Sequence, residues 1–151
     1  MSKIRIFVVT ISLIAFMTSS IYAEGSKTLL NDGKRALADQ NYAKAAELFK
    51  RSLAEEGESV DCLNNLGFAL HHVSKKYINE AYKEYKKAIK LDPKNEETLE
   101  YLGSLYISQG NLMKAAQVVK QLKAIESAEA ETLNEKLKKV VAQLKKIKKM
   151  K

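Results

Sequence analysis

Hydrophobic residues recur at helical spacing through most of the chain, and polar or glycine-containing breaks interrupt them at regular intervals. Leu99, Leu102 and Tyr106, for example, stand three and four residues apart, which places them on one face of an α-helix. Gly110 then supplies a break suited to a positive φ angle, and a second apolar helical face follows over residues 112–122. The two preceding segments have the same order of helix, break and helix. The pattern therefore predicts an all-α fold built from helix pairs.

Small residues divide this part of the chain into three units of similar length. Gly33, Gly67 and Gly103 are separated by 34 and 36 residues. An alanine follows each glycine after 12, 14 and 12 residues, at Ala45, Ala81 and Ala115. A period of about 34 residues is typical of stacked helix pairs. Because glycine inside a helix costs about 1 kcal/mol relative to alanine, we expect these glycines where two helices pack closely.

The three units resemble the tetratricopeptide repeat (TPR) family, in which Leu-Gly is followed by an aromatic residue, alanine, a second aromatic residue and proline. The second unit matches at Leu66, Gly67, Ala81, Tyr85 and Pro93. The third unit matches at Leu99, Leu102, Gly103, Tyr106 and Ala115, and the first at Gly33, Ala45 and Phe49. The departures are Asp32 in place of leucine, Val119 in place of the second aromatic residue, and Pro93 as the only closing proline.

The resemblance implies a TPR-type helical-hairpin solenoid of three repeats with a C-terminal capping helix. The repeats are placed at about residues 26–59, 60–95 and 96–129, within a body of residues 24–129. The resemblance also implies a noncatalytic protein–protein interaction module, an adaptor or assembly scaffold. Its partner would be a protein or peptide segment on the concave surface formed by the first helix of each repeat.

The repeat register implies which side chains line that surface. They are Lys27, Leu30, Lys34, Leu37, Asp61, Asn64, Phe68, His71, His72, Glu97, Glu100, Ser104, Ile107 and Ser108. Some family members bind a terminal carboxylate with lysine, asparagine and arginine side chains. Asn65 falls at one of these carboxylate-binding positions, but Leu30, Glu97 and Tyr101 fall at positions where the other binding side chains would be needed. We therefore do not predict carboxylate capture, and we favour an amphipathic or mixed-charge partner segment.

The N-terminus has the organisation of a secretory signal peptide. Met1–Arg5 carries two positive charges, and Ile6–Met17 is an almost unbroken apolar run that is short for a membrane span. We predict a signal peptide over residues 1–23 with cleavage after Ala23, and therefore an exported, periplasmic or secreted bacterial protein. Ile21 is larger than the residue usually found three positions before cleavage, so an uncleaved membrane anchor is the alternative.

The C-terminal segment, residues 130–151, is predicted to form a basic amphipathic helix. Its apolar residues recur at helical spacing, and it holds eight lysines against Glu131 and Glu135. One interpretation is a helix that caps the third repeat, because repeat arrays usually need a cap. The alternative is a peripheral contact with a membrane surface or an acidic polymer. That contact would use Lys145, Lys146, Lys148, Lys149 and Lys151.

Charge and composition disfavour several classes of function. The chain of 151 residues has 26 basic and 18 acidic side chains, but residues 24–129 hold 16 of each, so we expect no nucleic-acid binding. Its single cysteine, Cys62, is predicted to be a buried, inert thiol, and an intermolecular disulfide is the alternative in an oxidising compartment. The two histidines, His71 and His72, are adjacent and point about 100° apart on a helix, which disfavours one shared metal. We predict no catalytic site, metal or cofactor. A further alternative for the function is that the chain is an accessory subunit of an envelope enzyme.

Overall fold

A computed structural model describes residues 29–150, and these residues form seven α-helices joined by short turns. The predicted signal peptide, together with Lys27 and Lys151, lies outside the described residues. The helices are α1 (residues 29–38), α2 (Tyr42–Glu56), α3 (Val60–Val73), α4 (Ile78–Leu91), α5 (Glu96–Ser108), α6 (Leu112–Ala124) and α7 (Glu129–Lys149). The predicted all-α architecture is confirmed.

The helix boundaries follow from local side-chain chemistry. Asn95 precedes α5, and its Oδ1 accepts a hydrogen bond of 3.0 Å from the backbone N–H of Thr98. This is an N-cap, which satisfies a backbone donor that the first helical turn leaves free. Gly110 ends the turn before α6 with a φ of 71°, in the left-handed region that glycine tolerates best. Asp92 is extended because Pro93 disfavours helical geometry in the preceding residue.

Successive helices pack against each other as hairpins. α3 packs against both α2 and α4, α5 packs against α4 and α6, and α7 lies against α5 and α6. The alanines at the helix crossings, Ala45, Ala81 and Ala115, are fully buried. The two extra residues of the second repeat are taken up by a 3₁₀ turn at Lys75–Tyr77, as the spacing predicted.

The recurring glycines accept a large side chain from the neighbouring helix. In the first repeat Gly33 lies against the ring of Phe49, and in the second Gly67 lies against the ring of Tyr85. A Cβ atom built on Gly67 would be 2.6 Å from Tyr85 Cε1, too close for any methyl group. Phe49 and Tyr85 are both fully buried. Close packing therefore explains why glycine recurs inside these helices despite its cost in helix stability.

The third repeat is completed by α7 in addition to its own second helix, α6. Val119 stands where the other repeats have an aromatic ring, and Gly103 is instead covered by Leu133 of α7. Leu133 is fully buried, so the first half of α7 is a capping helix. Further along the helix, Leu144 and Ile147 are about half exposed, at 50% and 54%. Among the helices of residues 29–150, none is long and apolar enough to cross a bilayer.

Candidate partner-binding surface

The first helices of the three repeats, α1, α3 and α5, form one face of the stack, which we call the inner surface. Side chains connect neighbouring helices across it. Lys34 of α1 and Asp61 of α3 form an ion pair with an Nζ–Oδ2 distance of 2.7 Å. Both side chains are nearly half exposed, so the pair contributes about 0–1 kcal/mol to stability. Its main effect is to hold these two predicted binding residues against each other.

Equivalent contacts join the later helices. Between α3 and α5, His71 Nε2 lies 3.4 Å from Ser108 Oγ. Between α5 and α7, Lys136 Nζ lies 2.6 Å from Glu100 Oε1 and 3.4 Å from Ser104 Oγ. Glu100 is only 7% exposed. The capping helix therefore covers the end of the inner surface and neutralises one of its carboxylates.

Four rings from three helices form a continuous line across the inner surface, which we call the aromatic strip: Tyr42, His72, Phe68 and Tyr101. Tyr42 of α2 stacks on His72, with ring centroids 4.9 Å apart. Phe68 lies 4.4 Å from the ring of His72 and 4.9 Å from the ring of Tyr101. His72 is exposed, and the other three rings are half-buried. The strip thus presents aromatic edges and faces to solvent across all three repeats.

The histidines of this region favour the neutral form. Burial lowers the pKa of His71, and the adjacent His72 lowers it further. Burial also lowers the pKa of His72. Since the ordinary pKa of histidine is already about 6.5, both rings are uncharged at neutral pH. At that pH the aromatic strip carries no positive charge of its own.

A cavity of about 330 Å³ opens at the Tyr101 end of the strip, between the first turns of α5 and α7. We call it the acidic cavity, and it is lined by Glu96, Glu97, Glu100, Tyr101 and Glu129. The Tyr101 hydroxyl donates a hydrogen bond of 3.0 Å to Glu97 Oε1. Burial raises the pKa of Tyr101, and the charge of Glu97 raises it further. Tyr101 therefore stays protonated and fixes the position of the Glu97 carboxylate.

The structure brings some of the predicted binding residues together and removes others from the surface. Phe68, His71 and His72 form one cluster, and Glu97 lies beside it. Asn64 differs from the prediction, because it is only 1% exposed and cannot contact a partner at the surface. Glu100 also differs, since Lys136 covers it. The apolar members Leu30, Leu37 and Ile107 are half-buried against the core.

Five residues of the surface fall outside the predicted set, namely Tyr42, Glu96, Tyr101, Glu129 and Lys136. Tyr42 begins the second helix of its repeat, whereas the prediction considered only first helices. Glu129 and Lys136 belong to the capping helix, whose position against α5 is a tertiary feature with no local pattern. The three glutamates at positions 96, 97 and 100 are the local signal for the acidic cavity.

The structure also shows the surroundings of the single cysteine and of the side-chain types that bind metal ions. Cys62 is 2% exposed, and its thiol lies 3.4 Å from the backbone oxygen of Phe49. Burial raises the pKa of this thiol, which disfavours the reactive thiolate, as expected for a packing residue. Within residues 29–150, no three histidine, cysteine, aspartate or glutamate side chains are arranged to hold a metal ion.

Sequence comparison supports the family resemblance. A family model described as TPR repeat matches residues 72–110, which contain α4 and α5. No curated protein matches the sequence. The matched stretch spans the end of the second repeat and the start of the third, where the sequence pattern itself is strongest.

Solved structures share the fold over most of the chain. The Sgt2 TPR domain from Aspergillus fumigatus is 19% identical, with a TM-score of 0.68 and 82% of each chain covered. The second TPR domain of human RPAP3, solved with the HSP70 peptide SGPTIEEVD, is 23% identical, with a TM-score of 0.65 and coverage of 79% of this chain and 97% of that one. The Hsp90 co-chaperone Cns1 from Saccharomyces cerevisiae is 16% identical, with a TM-score of 0.74 and coverage of 85% and 43%. These likenesses confirm the predicted TPR-type solenoid.

Proposed function

We propose that the chain is a noncatalytic protein-interaction module, an adaptor or assembly scaffold that binds a partner segment along its inner surface. The observation that carries the proposal is the aromatic strip. Its four rings come from α2, α3 and α5, so a segment lying on the strip would contact all three repeats at once. Aromatic side chains at the centre of an interface commonly supply much of the binding energy.

Similar structures support the general mode of binding. The human RPAP3 domain was solved with a peptide of HSP70, so a TPR solenoid of this size accommodates a short peptide segment. Some family members hold a terminal carboxylate with lysine, asparagine and arginine side chains, but this chain has Leu30, Glu97 and Tyr101 at three of those positions. Asn65 is occupied by hydrogen bonds of 2.8 and 2.7 Å to the backbone oxygen and Oδ1 of Asp61. We therefore propose a partner other than an acidic C-terminal peptide.

Photo-crosslinking from the strip tests this proposal. A photo-crosslinking amino acid would be introduced at His72 in the full chain, and a matched probe at Met113, which is 80% exposed on α6. We expect a defined crosslinked protein from position 72 that is absent from position 113. Substitution Phe68→Ala should reduce that crosslink without lowering the melting temperature by more than a few degrees. Identical crosslinked species from both positions would remove the strip as the binding site.

We also propose export to the periplasm or outside the cell, on the basis of residues 1–23. N-terminal sequencing of the protein recovered from its native compartment tests this. Cleavage predicts Glu24 as the first residue, whereas an intact Met1 in a membrane fraction supports the uncleaved anchor. Recovery of an intact N-terminus in the cytosol would contradict export. If the partner captured by crosslinking is an envelope enzyme, the chain is its accessory subunit.

The second half of α7 supports a second candidate function. Leu144, Ile147 and Met150 are 50%, 54% and 77% exposed, and lysines surround them. A helix with exposed apolar residues and a lysine-rich face can lie on an anionic membrane surface. We propose this contact as an accessory to partner binding.

A further inference from the structure

A groove between the second and third repeats is separate from the aromatic strip. Its walls are α4 and α6, the second helices of these repeats, which do not pack against each other, and its floor is α5. The groove has a volume of about 330 Å³, and we call it the α4–α6 groove. Its polar lining consists of Tyr82, Lys86, Tyr106, Lys114, Gln117 and Gln121.

The α4–α6 groove has positive charge, and no carboxylate of the described residues lines it. Lys86 of α4 and Lys114 of α6 are both exposed. Neither lysine has an ion-pair partner in the described part of the chain. The Lys114 ammonium lies 5.4 Å from the centre of the Tyr106 ring, at the groove. Two lysines on different walls of one groove, with no acid beside them, attract an anion.

The corresponding groove between the first and second repeats has a different pair of charges. There Lys50 of α2 forms an ion pair with Glu80 of α4, with an Nζ–Oε2 distance of 3.4 Å. Lys50 and Lys86 each lie five residues after the buried alanine of their helix crossing. Glu80 and Lys114 each directly precede that alanine. The positions that form an ion pair in the first groove are therefore occupied by two lysines in the second.

The two tyrosine hydroxyls of the α4–α6 groove have no counterparts in the first groove. Tyr82 and Tyr106 have ring centroids 6.0 Å apart, whereas the corresponding residues that line the first groove are Ala46 and Leu70. Burial raises the pKa of Tyr106, and the neighbouring Tyr82 raises it further, to about 12. Tyr106 therefore stays protonated at neutral pH and can donate a hydrogen bond. The second groove thus gains hydroxyl groups and loses a carboxylate.

Helix stability does not explain the lysine at position 114. Lys114 is in the first turn of α6, where a positive charge is unfavourable beside the positive end of the helix dipole. Glu80, at the corresponding position of α4, is favourable there. The cation–π contact with Tyr106 compensates Lys114 in part, but it does not involve Lys86 on the opposite wall. The pair of lysines is therefore not accounted for by contacts within the described chain.

The first repeat provides a further comparison. Lys44 occupies in α2 the position that Lys114 occupies in α6. The cavity that Lys44 lines also contains two carboxylates, those of Asp32 and Asp39. A lysine at this position in the first repeat thus has acidic groups of its own chain nearby, whereas the lysine of the third repeat shares its groove with Lys86.

From these differences we infer that the α4–α6 groove binds an acidic side chain, glutamate or aspartate, of a protein segment. That side chain supplies the carboxylate that Glu80 supplies in the first groove. The amides of Gln117 and Gln121, one helical turn apart on α6, add further donors. Ile89 and Val118 also line the groove and suit apolar neighbours of the acidic residue, which a free phosphate lacks. The inference goes beyond the function proposed above, because it adds a second surface to the inner one.

Nuclear magnetic resonance titration of the isotope-labelled full chain tests the inference. The probe is an acetylated, amidated hexapeptide with two glutamates and two leucines, so its only carboxylates are side chains. Its matched control has glutamine in place of glutamate. We expect chemical shift changes centred on Tyr82, Tyr106 and Lys114, with at least about tenfold weaker binding of the glutamine peptide, corresponding to about 1.4 kcal/mol. Inorganic phosphate is the second control, and binding of phosphate as tight as that of the glutamate peptide would overturn the assignment to a protein carboxylate.

Charge reversal at one lysine tests the assigned site. Lys114→Glu places a carboxylate at the position of Glu80, so it should abolish the preference for glutamate over glutamine without lowering the melting temperature. Lys120→Glu makes the same charge change at an exposed position of α6 that does not line the groove, and it should retain the preference. No binding or equal binding of the two peptides, shift changes away from the groove, or an unchanged preference in Lys114→Glu would overturn the inference.

The outcome is distinguishable from that of the crosslinking experiment, because the α4–α6 groove and the aromatic strip share no residue. A glutamate preference without a crosslink from position 72 would leave the groove as a binding site and remove the strip. A crosslink from position 72 without a glutamate preference would leave the strip and remove the groove.

Discussion

Leu133 of the capping helix packs directly on Gly103 of α5, in the space that an aromatic ring of the second helix fills in the first two repeats. The last repeat has Val119 at that position, and the smaller side chain leaves room for a residue from α7. The cap is therefore part of the core of the third repeat. The departure from the family pattern at Val119 and the position of α7 are therefore linked, because Leu133 fills the space that the smaller valine leaves over Gly103.

Substitution Leu133→Ala should destabilise the chain by about 2–5 kcal/mol, because it leaves a cavity beside Gly103. Leu133 is fully buried, so little relaxation is available at this site. The measurement is urea unfolding followed by circular dichroism. A free energy of unfolding within about 0.5 kcal/mol of wild type would show that α7 does not cap the stack.

The reciprocal substitution tests the contact itself. Gly103→Ala introduces a methyl group against Leu133, and the overpacking costs about 1–3 kcal/mol, partly offset by about 1 kcal/mol of helix propensity. In the background of Leu133→Ala the clash is absent. We therefore expect the double variant to be more stable than the sum of the two single effects predicts. Strict additivity would mean that the two side chains do not touch.

The buried alanines make a separate packing prediction. Ala81 and Ala115 are fully buried, and Leu at either site should overpack the helix crossing by about 1–3 kcal/mol. Thermal unfolding of Ala81→Leu and Ala115→Leu measures the effect, and Ala116→Leu is the matched control because Ala116 is exposed. Unchanged melting temperatures for both buried-site variants would contradict the assigned crossings.

The histidine pair predicts a loss of stability on mild acidification. The pKa of His71 is lowered in the folded chain, first by burial and then by His72, so the unfolded chain binds the proton more readily. Such a group contributes stability that is complete above the unfolded pKa, about 6.5, and is lost as the pH falls through that value toward the folded pKa. The free energy of unfolding should therefore fall between about pH 7.5 and 5.5, where most carboxylates remain ionised.

Comparison with His71→Gln isolates this contribution. The variant should have a flatter dependence of unfolding free energy on pH over the same range. Histidine ring resonances of the wild-type chain should titrate below the ordinary value for His71. A titration of His71 at or above that value, or parallel pH profiles for the two proteins, would contradict the direction of the shift.

Local patterns were sufficient to predict most of the fold. The spacing of Gly33, Gly67 and Gly103 marks the repeat, because a close approach to a buried side chain of another helix excludes a Cβ atom at each. Helix breaks at Gly110 and Pro93 follow from the backbone preferences of these residues. The helix breaks depend on neighbouring residues and the repeats depend on a fixed spacing, and both kinds of information can be read from a single sequence.

The candidate site could be predicted only in part, because it depends on contacts between repeats. The register placed Phe68 and His72 in one group, and their rings lie together in the structure, but it could not reveal that Tyr42 of a second helix stacks on His72. The repeat register also assigns the same surface positions to the first helix of every repeat. It therefore placed Asn64 on the surface, although that side chain is buried in the folded chain, and it overlooked the neutralisation of Glu100 by Lys136 from the cap.

The final prediction concerns the end of α7. Truncation after Gln143 removes exposed apolar residues and five lysines, Lys145, Lys146, Lys148, Lys149 and Lys151. Because residues 144–150 are exposed, the truncated chain should unfold within about 0.5 kcal/mol of the full chain. Its binding to vesicles of phosphatidylglycerol and phosphatidylcholine should be largely lost, since each lysine near an anionic surface contributes about 1 kcal/mol.

Two controls identify the cause of that binding. Pure phosphatidylcholine vesicles should not bind the full chain, because they lack the anionic charge. A variant with glutamine at the four lysines from Lys145 to Lys149 keeps Leu144 and Ile147, so it separates charge from apolar insertion. We expect this variant to bind anionic vesicles far more weakly than the full chain and with little dependence on salt. Equal vesicle binding by the full and truncated chains would rule out the tail as a membrane contact and leave α7 as a capping helix alone.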